Sequence, residues 1–164
     1  MSGWAEVLLR MSAALVGSML LGLNRELHGK PTGMRTLGLV GLSSATVTLV
    51  ATAVGPFYGS LDASSRLMQG VIQGVLTGVG FLGAGVILRD APGLRIHGLT
   101  TAATVLVTAT LGIAFGLGQW ALGGTGLTLA LLVLTFGGPV EHALRRWLKQ
   151  PLTGPADEDS ASNH

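Results

Sequence analysis

The pattern of apolar and polar positions is sharpest at residues 69–88, an uncharged run of 20 residues. At 100° per residue, Gly70, Gly74, Gly78, Gly80, Ala84 and Gly85 fall on one side of a helix, together with Gln73 and Thr77. Val71, Ile72, Val75, Leu76, Val79, Leu82, Val86 and Ile87 fall on the other, with Phe81 and Gly83 out of phase. A run of this length reads as a transmembrane helix. Small residues let helix backbones approach closely in lipid, and an isolated Gln or Thr there needs a partner. The pattern therefore predicts that the small side packs against other helices, with Gly70, Gly74, Gly78, Gly80, Gly83 and Gly85 as packing residues. The aliphatic side is expected to face lipid, which makes this the expected central helix.

Four more apolar stretches predict helices over 5–23, 36–54, 98–117 and 120–140, the last loosening at Gly137-Gly138-Pro139. Between them lie a polar loop at 24–35 and a loop at 55–65, whose Phe57-Tyr58 suit an interfacial aromatic belt. Pro92-Gly93 marks a turn in a further loop, after Arg89-Asp90. Residues 141–150 place Val140, Leu144, Trp147 and Leu148 on one side and predict a short interfacial helix. The expected fold is all-α, a polytopic bundle of five transmembrane helices over residues 1–150, followed by a disordered polar tail at 151–164.

Composition agrees with a lipid environment. Only 11% of residues are charged, against roughly 25% in soluble domains. The 26 glycines show neither a collagen repeat nor low complexity. A net charge of +2 without a basic, aromatic-interleaved face gives no reason to expect nucleic acid. The absence of Cys excludes disulfides and Cys nucleophiles. The first apolar segment has no basic n-region, so a signal peptide is not expected. Eight basic residues lie in the 1–2 and 3–4 loops and the C-terminal segment, against Arg66 alone in the 2–3 loop. The positive-inside rule then puts the N-terminus outside and the C-terminus in the cytoplasm.

That orientation gathers a candidate binding rim at the cytoplasmic helix ends: Asn24, Arg25, Glu26, Arg35, Asp90, Arg95, Thr100 and Thr101, with His97 nearby. Glu26 and Asp90 could supply carboxylates to Mg²⁺, but Arg25, Lys30, Arg35, Arg89 and Arg95 make the local field positive and better suited to phosphate, a lipid headgroup or an acidic protein surface. The plainer expectation is that Glu26 and Asp90 pair with arginines and pin the loops together. No metal and no cofactor are expected, and no catalytic constellation is visible. Gly78-Val79-Gly80-Phe81-Leu82-Gly83 matches a dinucleotide fingerprint but lacks a preceding strand. Near the start of helix 1, Glu6 and Arg10 stand i,i+4 in the order that favours an ion pair facing protein, unless Arg10 snorkels to the surface beside Trp4.

Three strings carry a resemblance. Gly22-Leu23-Asn24-Arg25-Glu26 with Gly29-Lys30-Pro31 and Gly33-Met34-Arg35-Thr36 forms the first, Gly78 to Ile87 the second, and His97-Gly98-Leu99-Thr100-Thr101-Ala102-Ala103 the third. In this order they resemble the signatures of the MgtC/SapB family of bacterial inner-membrane proteins. Asn24 stands where the family usually has Glu, and Leu106 where it often has Trp. The soluble C-terminal domain of the virulence-type members has no counterpart here, so regulation through it is not carried over. The resemblance implies a multi-pass inner-membrane protein linked to growth at low Mg²⁺ and to survival inside macrophages, and a membrane partner such as the F-type ATP synthase. The leading expectation is a non-enzymatic regulator, and a homo-oligomer is an open expectation. The alternative is a small oligomeric transporter or channel with Gln73, Thr77 and the Thr100/Thr104 stripe lining a path. A third expectation is a scaffold for a partner protein.

Overall fold

The computed structural model describes residues 3–54, 60–89 and 98–148, and among them every regular element is a helix. They are α1 (Gly3–Leu27), α2 (Met34–Val54), α3 (Leu61–Arg89), α4 (Leu99–Gly116) and α5 (Trp120–Leu148). Each is long and apolar enough to cross a membrane. The expected aromatic belt at Phe57-Tyr58, the turn at Pro92-Gly93, the site residues Asp90, Arg95 and His97, and the polar tail lie outside the described residues.

Three helices differ from expectation in length: α1 runs on to Leu27, so Asn24, Arg25 and Glu26 lie on its last turns and not in the expected loop. Helix α3 begins eight residues earlier than the uncharged run. Ser60 caps it, its Oγ accepting the Ala63 amide at 3.2 Å, and Asp62 sits in the first turn, where the helix dipole favours an acid. Helix α5 runs unbroken from Trp120 to Leu148, with Pro139 inside it, so 141–148 continue the same helix beyond the apolar span Trp120–Val140 rather than start a separate one.

The centre of the bundle is α4, which buries more than half of its residues and touches all four other helices. Its approach to α2 depends on two glycines. A Cβ at Gly116 would lie 2.9 Å from the Ala45 carbonyl oxygen and 3.0 Å from Thr48 Cβ, and Gly112 is just as tightly set against Gly41 and Ser44. Helices α1 and α2 meet in the same way. A Cβ at Gly22 would sit 2.5 Å from Met34 Cα, and one at Gly38 2.9 Å from Met19 Cγ. Close backbone approach through small residues is the packing mode available where lipid removes the hydrophobic drive. Leu21, Leu37, Ala14, Ala45 and Ala109 are fully buried around these crossings.

Helix α3 is peripheral and turned the opposite way from its expected orientation. Among the described residues, nothing beyond the helix's own backbone and adjacent residues lies within 4 Å of a Cβ built at Gly70, Gly74, Gly78, Gly80 or Gly85, and Gln73 and Thr77 are exposed beside them. The aliphatic side faces the protein instead: Val79 is buried, and Val71, Ile72, Val75 and Leu76 are half-buried. Gly83 alone of the six expected packing glycines meets a neighbour, with a Cβ there falling 3.3 Å from Ala102 Cβ. The physical reason is that acyl chains are as apolar as Val or Leu, so the two-sided pattern identifies two faces without saying which one is inward.

Candidate functional site: a buried arginine junction

Helix α1 ends in a Schellman turn. Gly29 (φ +63°) donates to the Glu26 carbonyl at 3.0 Å, and Lys30 donates to that of Arg25 at 3.0 Å. A short connection then leads to α2, with Thr32 also at positive φ. Glu26 Oε2 accepts the Met34 amide at 3.3 Å, placing a carboxylate at the N-terminus of α2. These turns fold the connection back over the last turn of α1.

Beneath it, Arg25 is 3% exposed. Its Nε and Nη2 donate to the Pro31 carbonyl at 3.2 and 3.0 Å, its Nη2 also to Thr101 Oγ1 at 2.5 Å, and its Nη1 to Thr104 Oγ1 at 3.2 Å. Thr104 passes its own proton to the Thr100 carbonyl at 2.7 Å, and Thr108 bonds the Thr104 carbonyl at 2.8 Å. One guanidinium thus joins α1, the 1–2 connection and α4. Among the described residues the one ion pair is Glu6–Arg10, so no described carboxylate faces Arg25. The buried cation is held by a carbonyl and two hydroxyls, whose dipoles offset desolvation only if every bond is kept.

The predicted rim therefore divides. Arg25 and Thr101 meet directly, and both are buried rather than presented to a ligand. Asn24 points elsewhere, its Nδ2 donating to Thr135 Oγ1 on α5 at 3.0 Å. Glu26 caps α2, and no described arginine pairs with it; Asp90 and Arg95, the other expected members of the ion-pair network, lie outside the described residues. Arg35 and Thr100 are exposed. Thr104, expected on a conduction path, bonds Arg25 instead, and the Pro31 carbonyl, with no expected role, is a second acceptor for it. A usable signal was present: Arg25 is in phase with Ala14, Ser18 and Leu21, the buried stripe of α1.

The expected path through Gln73, Thr77, Thr100 and Thr104 does not assemble within the chain. Thr104 is buried at the arginine junction, whereas Gln73 and Thr77 line an open groove of about 780 Å³ along the flank of α3, together with the half-buried Ile72 and Leu76. No cluster of three or more His, Cys, Asp or Glu occurs among the described residues. At the other end of the bundle, Arg10 pairs with Glu6 and donates from Nη1 to the Gly116 carbonyl at 3.1 Å. There Gly118 (φ +73°) and Gln119 close α4 in a second Schellman turn through the Phe115 and Ala114 carbonyls. Arg10 thus ties α1 to the end of α4, while Trp4 is exposed.

Among the described residues, five apolar spans and no strand, cross-braced by one arginine at each end of α1, define a multi-pass helical membrane protein. Sequence comparison narrows the class. The model of the MgtC family matches residues 11–143, and the chain belongs to that family. It is 41% identical to protein SrpB of Synechococcus elongatus over 155 residues, covering 90% of this chain and 82% of SrpB. It is 38% identical to the putative magnesium transporter YhiD of Escherichia coli over 131 residues, 79% of this chain and 60% of YhiD. With protein MgtC of Salmonella typhimurium the identity is 34% over 151 residues, 92% of this chain and 59% of that protein. The chain thus spans well under two thirds of YhiD and MgtC. No solved structure matches it.

Proposed function

We propose that this protein is a non-enzymatic regulator in the bacterial inner membrane, acting in magnesium limitation and ion homeostasis through contacts with other membrane proteins. The Arg25 junction carries the reading. A charge buried in the bundle and held by four hydrogen bonds to Pro31, Thr101 and Thr104 is suited to fix the relative positions of α1, the 1–2 connection and α4. In the orientation expected from the loop charges, this junction sits at the cytoplasmic end. Exposed Arg35 and Lys30 then form a positive surface there for an acidic partner. The family resemblance points to the F-type ATP synthase as a partner, which co-purification from native membranes tests.

Complementation of a strain lacking the gene tests the regulator reading. Arg25→Lys keeps the charge but loses the forked geometry. At matched protein level it is expected to lose growth at limiting Mg²⁺, as is Arg35→Ala. Wild-type growth of both variants would overturn the reading.

A second reading, an oligomeric transporter, has support of its own in the polar row Gln69, Gln73 and Thr77 facing out of α3 and in the description of YhiD. Flux of Mg²⁺ into liposomes containing the purified protein would favour it over the regulator.

A further inference from the structure

Beyond Leu134, α5 leaves the bundle. From Thr135 to Leu148, Gly137 alone is half-buried among the residues whose exposure is described, and every other one is exposed. The start of this stretch is also the weakest turn of the helix. Pro139 has no N–H to give the Thr135 carbonyl, so one rung of the hydrogen-bond ladder is missing. Gly137 and Gly138 stand between them and are poor helix formers. A Cβ at Gly138 would meet nothing within 4 Å, and one at Gly137 only Val133 of α5 itself. Sharp bends in helices occur at prolines and at small-residue pairs. One contact reaches this turn from another helix. Asn24 Nδ2 donates to Thr135 Oγ1 at 3.0 Å, and among the described residues no other hydrogen bond joins α5 to another helix. Thr125 and Thr128, the other threonines of α5, turn their hydroxyls back to the Ala121 and Gly124 carbonyls. The Thr135 hydroxyl serves α1 instead. It lies five residues inside the Val140 end of the apolar span, about 7 Å from the edge, where water is scarce.

We propose that α5 is hinged at residues 135–139 and that the Asn24–Thr135 bond is the latch that holds its last turns in line with the span. Opening breaks one hydrogen bond and, because the described side chains beyond Leu134 are exposed, gives up little buried apolar surface. A short helical end without packing is marginal by itself, so its direction is set at the hinge. The latch moves the exposed row Val140, Leu144 and Trp147, which recurs at i, i+4 and i+7 on one face. Asn24 and Arg25 are consecutive, so the last turns of α1 grip α5 through one side chain and α4 through the next. The Pro31 carbonyl ties the 1–2 connection to Arg25, and a displacement of that connection therefore reaches the latch through a single neighbouring residue. The proposal does not rest on the regulator reading, because its test reads distances within the purified protein and not growth.

The chain has no cysteine, so introduced pairs carry spin labels cleanly. Leu39→Cys on α2 with Leu144→Cys reports the end of α5, and Leu9→Cys on α1 with Leu122→Cys reports its first half; all four sites are exposed. Pulsed electron paramagnetic resonance on the full chain in liposomes gives the distances. The expected result is one narrow 39–144 distribution in the otherwise unchanged protein, at least doubling in width with Asn24→Leu or with Thr135→Val. The 9–122 distribution is expected to stay as it was, which shows that the fold is kept. Pro139→Ala returns the missing N–H, and adding it to Asn24→Leu is expected to restore the narrow 39–144 distribution. A 39–144 distribution that neither latch variant changes, or that is already broad without them, would overturn the proposal. So would equal broadening of both pairs, which marks a loosened bundle, or broadening that persists with Pro139→Ala, which puts the motion outside the hinge.

Discussion

Arg25 Nη2 and Thr101 Oγ1 lie 2.5 Å apart although 76 positions separate them in the chain. That bond, with its companion to Thr104, makes the end of α1 and the start of α4 one unit, and the Pro31 carbonyl seals it. Bonds to a charged donor contribute about 1.5–3 kcal/mol each. Arg25→Ala removes the donor from a carbonyl and two hydroxyls together and is expected to destabilise the protein by at least about 3 kcal/mol. Thr101→Val, which deletes one acceptor and keeps the shape, is expected to cost about 1–3 kcal/mol. Thermal unfolding in mild detergent measures both. Equal stability of Arg25→Ala and wild type would show that the junction contributes nothing.

Glycines of similar sequence context are expected to behave in opposite ways. Gly116→Ala drives a methyl to 2.9 Å from the Ala45 carbonyl oxygen, against backbone that cannot rotate away. Such overpacking costs about 1–3 kcal/mol. Gly85→Ala meets nothing within 4 Å and is expected to change stability by less than about 1 kcal/mol, in the stabilising direction if helix propensity dominates. Parallel melting curves for the two variants decide the matter.

At the opposite end, Gly118→Ala combines positive φ with a methyl 2.8 Å from the Arg10 guanidinium carbon. A loss of about 1–2 kcal/mol is expected from the backbone term. Glu6→Gln, at a half-exposed ion pair, is expected to change stability by less than about 1 kcal/mol. If Glu6→Gln proved the more damaging of the two, the cap on α4 would depend on the ion pair rather than on the turn.

Glu26→Ala removes the carboxylate from the start of α2. The expected loss is about 1 kcal/mol. Faster exchange of the Met34 amide, with the Thr48 region of α2 unchanged, is the local signature that hydrogen exchange would show.

The spans were legible because length and hydropathy alone determine them: 36–54, 98–117 and 120–140 anticipate α2, α4 and most of α5. The first two turns of α3 were also readable from Ser60 and Asp62, a cap followed by an acid, although 55–65 reads as a loop if only apolar residues are counted. The inward face of α3 was not readable, since lipid and protein interior select the same aliphatic residues. Of the glycines that bring helices together, Gly38 and Gly41 stand i,i+3 and Gly112 and Gly116 i,i+4, so a small-residue pair on α2 and on α4 was legible in the sequence, whereas Gly22 stands alone. Arg25 read as part of a rim because its neighbours in sequence are polar. Its burial depends on a connection that doubles back and on hydroxyls from α4, which no local pattern carries.

The span from Arg25 to Thr104 also sets a schedule for synthesis. The arginine emerges from the ribosome with α1, while its hydroxyl partners follow 76 and 79 positions later. At about 5–20 residues per second, that is an interval of about 4–16 s. Over that time the Arg25 guanidinium has no hydroxyl partner from α4, and the junction can close only after α4 has been made.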